Sequence, residues 1–423
     1  MTVTTGQKRP RVLLLVPARS YRAADFLLAA ARMNLDVTVA SDGALPIGDR
    51  PVIVLNPSDP DRAARHVLAQ ASRAFDAVVA ADSPMLVLAS ALAARMGLPH
   101  NPAGAVRDAG DKARQRERWR AAGVPQPDFR VVAADQPGSG RDSADGEEAA
   151  VRRAAGIVGF PCVVKAVSLS ASQGVLRADD ADAAAAAATR IRRVLAATRR
   201  PPGEPLLVEQ YLTGPELSID GLLAGGRLTP LALFDKPAMP DGPTFEETML
   251  VTPSRLSASA RAAAVRTAER AARALGLVTG PVHAELRIGP RGPAMLELAA
   301  RSIGGLCSRV LRFPGGRGLE ELIFAAALGE EPPDVTDDPG PARGVFMLPV
   351  PRAGTLRAVE GTDDARAVPG VTGVTISIPV GRTVVPLPEG DQYLGFIFAE
   401  ASTRAGVARA LATASARIRA IIG

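Results

Sequence analysis

The sequence predicts a mixed protein in which an α/β region comes first and α+β regions follow. Up to about residue 105, short apolar runs typical of buried parallel strands alternate with amphipathic helical patterns. Later in the chain, strand-like runs joined by turns alternate with longer helical patterns, as in antiparallel sheets packed against helices. The length of 423 residues leaves room for about two to four domains.

The first 105 residues predict a doubly wound, Rossmann-like domain. Its predicted elements are strands at 11–16, 35–41, 51–56 and 75–82 and helices at 22–33 and about 60–72. The turn after the first strand reads PARSYRAAD and lacks the G-x-G-x-x-G fingerprint of dinucleotide sites. We therefore expect this domain to act as a scaffold without a bound dinucleotide.

The region after residue 105 has the patterns of an α+β fold. The stretch 111–127 predicts a charged helix that ends at Gly123 and is followed by prolines. Residues 135–149 read as a polar, turn-rich loop or insertion. The other predicted elements are strands at 159–167, 175–178, 205–212, 217–226 and 227–236 and helices at about 180–198, 257–275 and 317–328.

The stretch VHAELRIGPRGPAMLELAAR predicts a hairpin of two short strands joined by a Gly/Pro turn. Alternation places His283, Glu285 and Arg287 on the same face of the first strand. Glu297 interrupts an apolar run in the second strand, so pairing of the strands would bring it beside Glu285, with Arg301 close by. Two carboxylates held together in an apolar setting repel, and a divalent cation relieves the repulsion. A solvated hairpin with surface charges is the alternative on pattern alone.

The tail from about residue 340 predicts a third, smaller α+β domain. Strand patterns occur at 344–351, 373–379 and 393–400, and an amphipathic helix at 402–421 ends the chain. No internal repeat is visible.

Composition and charge exclude several classes of protein. The net charge of +6 is spread over the chain and aromatic residues make up only 4%, so we expect no nucleic-acid partner. The N-terminal apolar run is too short for a signal core or a membrane span, and no later run reaches that length without charges. Cys162 and Cys307 match no metal or redox spacing. We expect a cytoplasmic protein that does not enter a membrane.

Lys165 stands in the apolar strand PCVVKAV, just before the small-residue loop SLSASQG. In this loop Ser168, Ser170, Ser172 and Gly174 let the backbone approach a ligand, and successive N–H groups can surround phosphate oxygens. The lysine would add a positive charge for a phosphate. No G-x-x-x-x-G-K-[ST] motif occurs, which excludes the P-loop mode. A plain hairpin turn with a solvent-reaching lysine explains this stretch equally well.

A second candidate nucleotide contact follows the strand PLLVEQ. Glu209 lies at its end, and Gln210, Tyr211 and Leu212 continue the chain outward. Such an extended segment can offer backbone groups to an adenine edge while apolar side chains cover the ring. Glu216, after a Gly-Pro turn, can accept hydrogen bonds from ribose hydroxyls.

Several of these motifs occur in one characteristic order. The chain reads DK at 111–112, then AAGVP, GFPCVVK, the Ser/Gly loop, LLVEQYL, GPE, AEL and MLELAAR. This order closely resembles the ATP-grasp superfamily over most of residues 1–340. The stretches FDKPAMPDGPTFEETMLVTPSRL and LPEGDQYLGFIFAEA are similar to the branch of L-amino-acid and dipeptide ligases.

The resemblance implies an ATP-grasp architecture of three domains. These are a Rossmann-like domain at 1–105, a two-lobed ATP-grasp core at 106–335 and a small α+β C-terminal domain at 340–423. The two lobes of the core would be about 111–204 and 205–335.

The resemblance also implies which residues bind ATP. They are Lys112, Lys165, Ser168, Ser170, Ser172, Gly174, Glu209, Gln210, Tyr211, Leu212 and Glu216. The lysines would hold phosphates, the Ser/Gly loop would close over them, the segment after the strand would line the adenine slot, and the last glutamate would meet the ribose. Without this context, Lys112 reads as a solvated lysine at the start of a charged helix.

The remaining implied roles concern the metal and the substrate. Glu285 and Glu297 would hold Mg²⁺, and Arg301 would bind the substrate carboxylate or its acyl phosphate. His283 is either a proton shuttle or a hydrogen-bonded structural histidine. One position departs from many ATP-grasp enzymes: Ala299 stands where an asparagine often helps to bind the metal. Glu246 or Glu247 would then complete the metal shell, and the sequence does not choose between them.

The function implied is that of an ATP-dependent carboxylate–amine ligase. Such an enzyme forms an amide or peptide bond through an acyl phosphate, releases ADP and phosphate, and takes a small carboxylic acid and an amine, here amino-acid-like ones. A homodimer is a further expectation. The alternatives are a biotin-dependent carboxylase, which is disfavoured because the Ser/Gly loop lacks a glycine run and the chain has no biotin-acceptor motif, and a nucleotide-binding scaffold without turnover.

Overall fold

The computed structural model describes residues 8–45, 47–48, 50–70, 73–134, 143–201, 203–237, 242–335 and 340–423. Within these residues the chain forms one parallel sheet of four strands and antiparallel sheets of four, eight and three strands. Helices cover the parallel sheet and lie beside the antiparallel ones. The predicted combination of α/β and α+β regions is confirmed.

The N-terminal region is the parallel sheet, with strand order β3-β2-β1-β4. Its elements are β1 (Arg11–Leu15), α1 (Ala23–Arg32), β2 (Asp36–Ser41), β3 (Val52–Val54), α2 (Pro60–Gln70), β4 (Ala77–Ala80), α3 (Leu86–Arg95) and α4 (Ala103–Ala109). Every residue of β1 is buried, and its alternate side chains join two separate cores, one on each face of the sheet. The predicted strand–helix alternation is confirmed, whereas the sequence reading does not include α3 and α4.

A small antiparallel sheet with the order β5-β8-β6-β7 follows. Its elements, with the preceding helix, are α5 (Lys112–Ala121), β5 (Phe129–Val132), α6 (Ser143–Val158), β6 (Cys162–Ala166), β7 (Val175–Ala178), α7 (Ala181–Ala197) and β8 (Leu206–Gln210). The sequence predicts a loop over 135–149, but residues 143–149 begin α6, so this prediction is wrong there. Residues 135–142 lie outside the described part of the chain.

The large antiparallel sheet carries most of the remaining chain. Its first strands, with the helices near them, are β9 (Glu216–Ala224), β10 (Arg227–Asp235), β11 (Met249–Thr252), α8 (Ala258–Ala274), β12 (Gly280–Gly289), β13 (Gly292–Ala299) and α9 (Leu319–Ala327). The apolar face of α8 packs against these strands in a common core. Helix α9 instead packs against α1 and β4, so it connects this sheet to the N-terminal region.

The predicted hairpin is confirmed as β12 and β13. The strands pair antiparallel, and Glu285 lies directly opposite Glu297. A register shift follows at once, since Leu286 pairs with Met295 and leaves Leu296 as an extra residue in β13. Such a bulge twists a strand and re-aims its side chains. On its other edge β12 pairs with β9, which places Glu285 beside Ser218.

The C-terminal region continues the large sheet and adds a small one. Its elements are β14 (Ala342–Leu348), β15 (Gly354–Glu360), α10 (Thr362–Arg366), β16 (Val371–Ile376), β17 (Thr383–Val384), β18 (Gly395–Ala401), α11 (Arg404–Ser415) and β19 (Arg419–Ile422). The large sheet has the order β13-β12-β9-β10-β11-β14-β18-β16, and the small one has the order β17-β15-β19. The sequence predicts a helix over 402–421, but α11 ends at Ser415 and the last residues pair with β15 instead.

The large sheet therefore has strands on both sides of the boundary predicted near residue 335. Strand β11 pairs with β14 over four residue pairs, so the two regions share backbone hydrogen bonds. Both cysteines are buried and free. None of the described helices combines the length and apolar character needed to cross a bilayer.

Candidate active site

A cavity of about 290 Å³ lies where the regions of the molecule meet. The N-terminal region contributes Tyr21 and Asp82, and the C-terminal region contributes Met347, Asp391 and Tyr393. The rest of the lining comes from the start of α5, the small sheet with its Ser/Gly loop, the large sheet with its hairpin, and the segment that follows the hairpin. A cavity assembled from several regions can enclose two substrates and exclude water from the reaction between them.

Most of the predicted site residues line this one cavity. They are Lys112, Lys165, Ser170, Ser172, Glu209, Gln210, Tyr211, Leu212, Glu216, His283, Glu285, Glu297 and Arg301. The set spans nearly 190 sequence positions, yet it converges in one place. A solvated surface hairpin does not account for this arrangement.

Ser168 and Gly174 lie at the ends of the Ser/Gly loop and do not line the cavity. Ser168 donates from its backbone N and its Oγ to the carboxylate of Glu204, at 3.1 and 2.7 Å. Gly174 has a φ of +64°, and its N–H donates to the carbonyl of Pro388 at 3.0 Å. These two residues hold the ends of the loop, while Ser170 and Ser172 face the cavity.

Two lysines supply positive charge at the cavity wall. Lys112 follows the helix cap Asp111, and its Nζ contacts the carbonyl of Leu169 and lies 3.3 Å from Glu297 Oε2. The Nζ of Lys165 forms an ion pair with Glu209. Burial lowers the pKa of Lys165, and the charge of Glu209 opposes this shift. Both ammonium groups lie where anionic oxygens of a ligand would be neutralised.

Arg116 is a part of the site that the sequence reading does not include. Its side chain is fully buried, and its Nε donates to Glu209 Oε2 at 2.9 Å. Its Nη2 donates to the carbonyl of Leu296 at 2.7 Å, next to the bulge of the hairpin. Although burial alone raises the pKa of Glu209, the charges of Arg116 and Lys165 lower it, so Glu209 is ionised. Glu209 is therefore the centre of a buried ion-pair network at the cavity wall.

The facing carboxylates of Glu285 and Glu297 could hold a divalent cation. Their side chains are 25% and 32% exposed, and both line the cavity. Carboxylate oxygens are the ligands that Mg²⁺ prefers, and a site with two of them leaves coordination positions for water and phosphate oxygens. The donor set of these two residues therefore fits magnesium.

A second group of carboxylates, Glu216, Glu247 and Glu285, also lines the cavity and surrounds Lys236. Oxygens of the three acids lie within 4.8 Å of one another. Lys236 Nζ lies 2.7 Å from Glu216 Oε1 and 3.5 Å from Glu285 Oε1, and it also contacts Glu247. Burial and the neighbouring acids raise the pKa of Glu247 to about 7, with Lys236 opposing them. Of the two alternatives left open by the sequence, Glu247 joins this cluster, and Glu246 does not.

His283 is hydrogen-bonded on both ring nitrogens. Its Nδ1 lies 3.0 Å from Asp220 Oδ2 and its Nε2 lies 3.3 Å from Glu285 Oε1. Burial lowers the pKa of His283, but Asp220 and Glu285 outweigh this effect and raise it to about 9. Asp220 also accepts a hydrogen bond from the backbone N of Ile303 at 2.6 Å. His283 thus connects the hairpin to the loop after Arg301, which favours the structural interpretation over a proton shuttle.

Arg301 reaches from the end of the hairpin toward the N-terminal region. Its Nε donates to Ser83 Oγ at 2.9 Å and lies 3.5 Å from Asp82 Oδ1, and its Nη1 donates to the carbonyl of Ser302. A cation and an anion from two regions of the molecule therefore lie side by side at the cavity. Sequence patterns give no sign of this pairing, because the two residues are more than 200 positions apart.

The aromatic residues near the predicted adenine slot form a partly apolar wall. The rings of Tyr211 and Phe245 stack with centroids 6.1 Å apart and planes at 23°. The guanidinium groups of Arg177 and Arg287 lie 4.8 and 5.7 Å from the Tyr211 ring centroid. Flat apolar surfaces of this kind suit a planar base.

Comparison with known proteins supports the ATP-grasp class that the order of the motifs resembles. Residues 158–310 match the ATP-grasp domain family, and residues 346–423 match L-amino acid ligase C-terminal domain 2. In the solved L-amino acid ligase from Bacillus licheniformis the fold recurs with a TM-score of 0.76 and 23% identity, covering 99% of this chain and 100% of that one. The fold is an ATP-grasp fold.

Two curated relatives extend the comparison. Carnosine synthase 1 of Gallus gallus is 32% identical over 290 residues, which cover 65% of this chain and 30% of that protein. The alanine–anticapsin ligase of Bacillus subtilis strain 168 is 28% identical over 228 residues, which cover 50% of this chain and 45% of the relative. The chain thus matches less than half the length of either relative. Its two matched regions resemble an ATP-grasp domain and a C-terminal domain of the L-amino acid ligase type.

Proposed function

We propose that this protein is an ATP-dependent carboxylate–amine ligase that joins amino-acid-like substrates through an acyl phosphate. The observation that carries the proposal is the convergence of Lys112, Lys165, Glu285, Glu297 and Arg301 on one cavity. Two ammonium groups, two facing carboxylates and a guanidinium together suit phosphoryl transfer to a carboxylate. The matched ligase C-terminal domain and the relatives named as ligases support the same assignment.

The ATP side of the cavity would be formed by the small sheet. Lys112 and Lys165 would hold phosphate oxygens, and the segment after β8 with Tyr211 would receive the adenine. Glu216, which also contacts Lys236 and Arg287, would accept hydrogen bonds from the ribose. Glu285 and Glu297 would hold Mg²⁺, which when bound neutralises charge on the transferring phosphoryl group.

The reaction would proceed in two substitutions. The substrate carboxylate attacks the γ-phosphorus of ATP in line, the bond to the β–γ bridging oxygen breaks, and acyl phosphate and ADP form. The amine then attacks the acyl carbon, loses a proton, and phosphate leaves with its electron pair. Arg301 would stabilise negative charge on the carboxylate and on the tetrahedral intermediate. The Ser/Gly loop would exclude water, which would otherwise hydrolyse the acyl phosphate.

The acid substrate would carry an amino group. Asp82 lies 3.5 Å from Arg301 at the cavity, so an anionic and a cationic side chain are available side by side. An α-amino acid presents the complementary pair, an ammonium group next to a carboxylate. This arrangement favours an amino acid over a simple carboxylic acid as the activated substrate.

The test is ADP release from Mg·ATP, screened over pairs of amino acids, with mass spectrometry of the products. We expect ADP formation that requires both partners and yields an amide in equal amount, and Glu297→Gln should abolish it without lowering the melting temperature. ADP release that requires bicarbonate and biotin would instead indicate a carboxylase. ATP binding without ADP formation over the full panel would indicate a nucleotide-binding scaffold.

A further inference from the structure

We propose that Lys236 is a built-in cation of the site: its ammonium occupies the position among Glu216, Glu247 and Glu285 that a divalent ion would otherwise take. It is thereby a positioning residue for Glu285. The inference rests on the proposed function only in that Glu285 is taken as a magnesium ligand.

The geometry places Lys236 at the centre of the three acids. Its Nζ lies 2.7 Å from Glu216 and 3.5 Å from Glu285 and contacts Glu247. Its side chain is only 1% exposed, and its backbone N donates to the carbonyl of Glu216 at 3.3 Å. The residue directly follows β10, so the sheet fixes where its side chain starts. Lys236 therefore cannot reach a ligand in the cavity without leaving the three carboxylates.

Among the described residues, Lys236 is the cation in contact with all three carboxylates. Arg287 lies 2.9 Å from Glu216 alone, and His283, 3.3 Å from Glu285, is also paired with Asp220 at 3.0 Å. Removing the lysine would leave buried acids with an excess negative charge. Several carboxylate oxygens within 4.8 Å of one another, with no cation between them, are a donor set for a divalent ion.

Lys236 also determines which oxygen of Glu285 is available. Both Lys236 and His283 contact Oε1 of Glu285. Oε2 is then the atom left for an ion held jointly with Glu297. By occupying the space that Glu285 shares with Glu216 and Glu247, the lysine restricts metal binding to the space that Glu285 shares with Glu297, where the phosphates of ATP would lie.

The experiment counts Mn²⁺ bound per chain by electron paramagnetic resonance, without nucleotide or substrate. We expect Lys236→Met to bind one more Mn²⁺ per chain than the wild type. Lys236→Arg should restore the wild-type count because it keeps the charge. Arg287→Met is the matched control: it removes the other cation on Glu216 but leaves Lys236 in place, so it should bind no additional ion.

Two results would overturn the proposal. One is a folded Lys236→Met protein that binds the same number of ions as the wild type. The other uses the wild-type background and applies even if Lys236→Met fails to fold: a bound Mn²⁺ that Glu247→Gln removes would show that the cluster holds a metal despite the lysine. Because the ions are counted without ATP, absence of amide formation would contradict the proposed function and leave this result unaffected.

Discussion

Arg116 is a fully buried arginine that fixes Glu209 beside Lys165, and its removal should destabilise the fold. It donates to Glu209 at 2.9 Å and to the carbonyl of Leu296, and its Nη1 is buried. Removing one partner of a buried ion pair leaves the charge of the other uncompensated. Here Lys165 would still compensate part of the negative charge of Glu209. We therefore expect Arg116→Met to lower the free energy of unfolding by about 3 kcal/mol, measured as a shift of the urea unfolding midpoint.

The matched control for Arg116 lies on the same helix. Arg118 forms an ion pair with Asp108 at 2.8 Å, but its side chain is 60% exposed. Arg118→Met should therefore change the unfolding free energy by less than about 1 kcal/mol. Equally small shifts for both variants would mean that the buried pair does not stabilise the native state.

Individual residues were predictable where local alternation determines their neighbours. Glu285 and Glu297 meet because a turn joins two strands of period two, and the sequence contains both features. Arg116 and Lys236 could not be assigned in this way. The helix pattern KARQRERWR gives Arg116 no distinction from its exposed neighbours, and its partner Glu209 is 93 positions away. A lysine after an apolar strand, as in ALFDK, was the one available sign of Lys236.

At the scale of elements, the Ser/Gly loop is attached to the C-terminal region. Gly174 N donates to Pro388 O at 3.0 Å, and Gln173 Nε2 donates to Glu389 O at 2.7 Å. Arg190 on α7 adds two contacts to the carboxylate of Glu389, at 2.6 and 3.0 Å. These contacts hold the loop in place, including Ala171 and Ser172 with left-handed backbone angles.

Glu389→Gln should weaken this attachment without affecting the fold. Both side chains of the ion pair are partly exposed, so the expected effect is about a two- to five-fold rise in KM for ATP. The amount of ADP formed without amide should also rise, because water reaches the acyl phosphate more often. Glu400→Gln, which removes the exposed pair with Arg343 elsewhere in the C-terminal region, is the control. Identical kinetics in both variants would exclude a role for the attachment.

Helices and strands were predictable where the period of the apolar residues and the length of the segment indicate the same kind of element. The ends of these elements were less predictable. Helix α6 begins with SADGEE, and the Ser, Asp and Gly residues that favour turns also favour helix starts. The last strand, RAII, continues the apolar period of α11, so sequence alone extends the helix. Pairing with β15 decides its conformation, and β15 is distant in sequence and was itself not predicted. Long-range backbone pairing thus overrides the local pattern.

At the scale of the whole molecule, the site needs every region of the chain. Three regions each contribute a residue to the cavity lining. Asp82 follows β4 of the N-terminal sheet, Arg301 follows the hairpin, and Tyr393 belongs to the C-terminal region. The sheet order was not predictable, because β14 pairs with β11, more than 90 positions earlier, and β18 pairs with β14, about 50 positions earlier. The ATP-grasp fold itself was predictable, since the order of its motifs is a property of the sequence.

Asp82→Asn tests whether the N-terminal region recognises the amino group of the activated substrate. A hydrogen bond between charged groups contributes about 1.5–3 kcal/mol, which corresponds to about a ten- to hundred-fold rise in KM for the amino acid. KM for ATP should stay unchanged, because Asp82 lies with Arg301 and away from the lysines that face the phosphates. The comparison substrate is the same acid without its amino group, for which wild type and Asp82→Asn should react alike.

Asp61→Asn is the matched control for Asp82, since Asp61 also belongs to the N-terminal region and pairs with an arginine, Arg95, but is 63% exposed. Its kinetics should equal those of the wild type. If Asp82→Asn impaired the amino acid and its deamino analogue equally, Asp82 would act by orienting Arg301 toward the carboxylate. Recognition of the amino group would then have to come from the C-terminal wall, where Asp391 is the remaining acidic side chain of that region lining the cavity among the described residues.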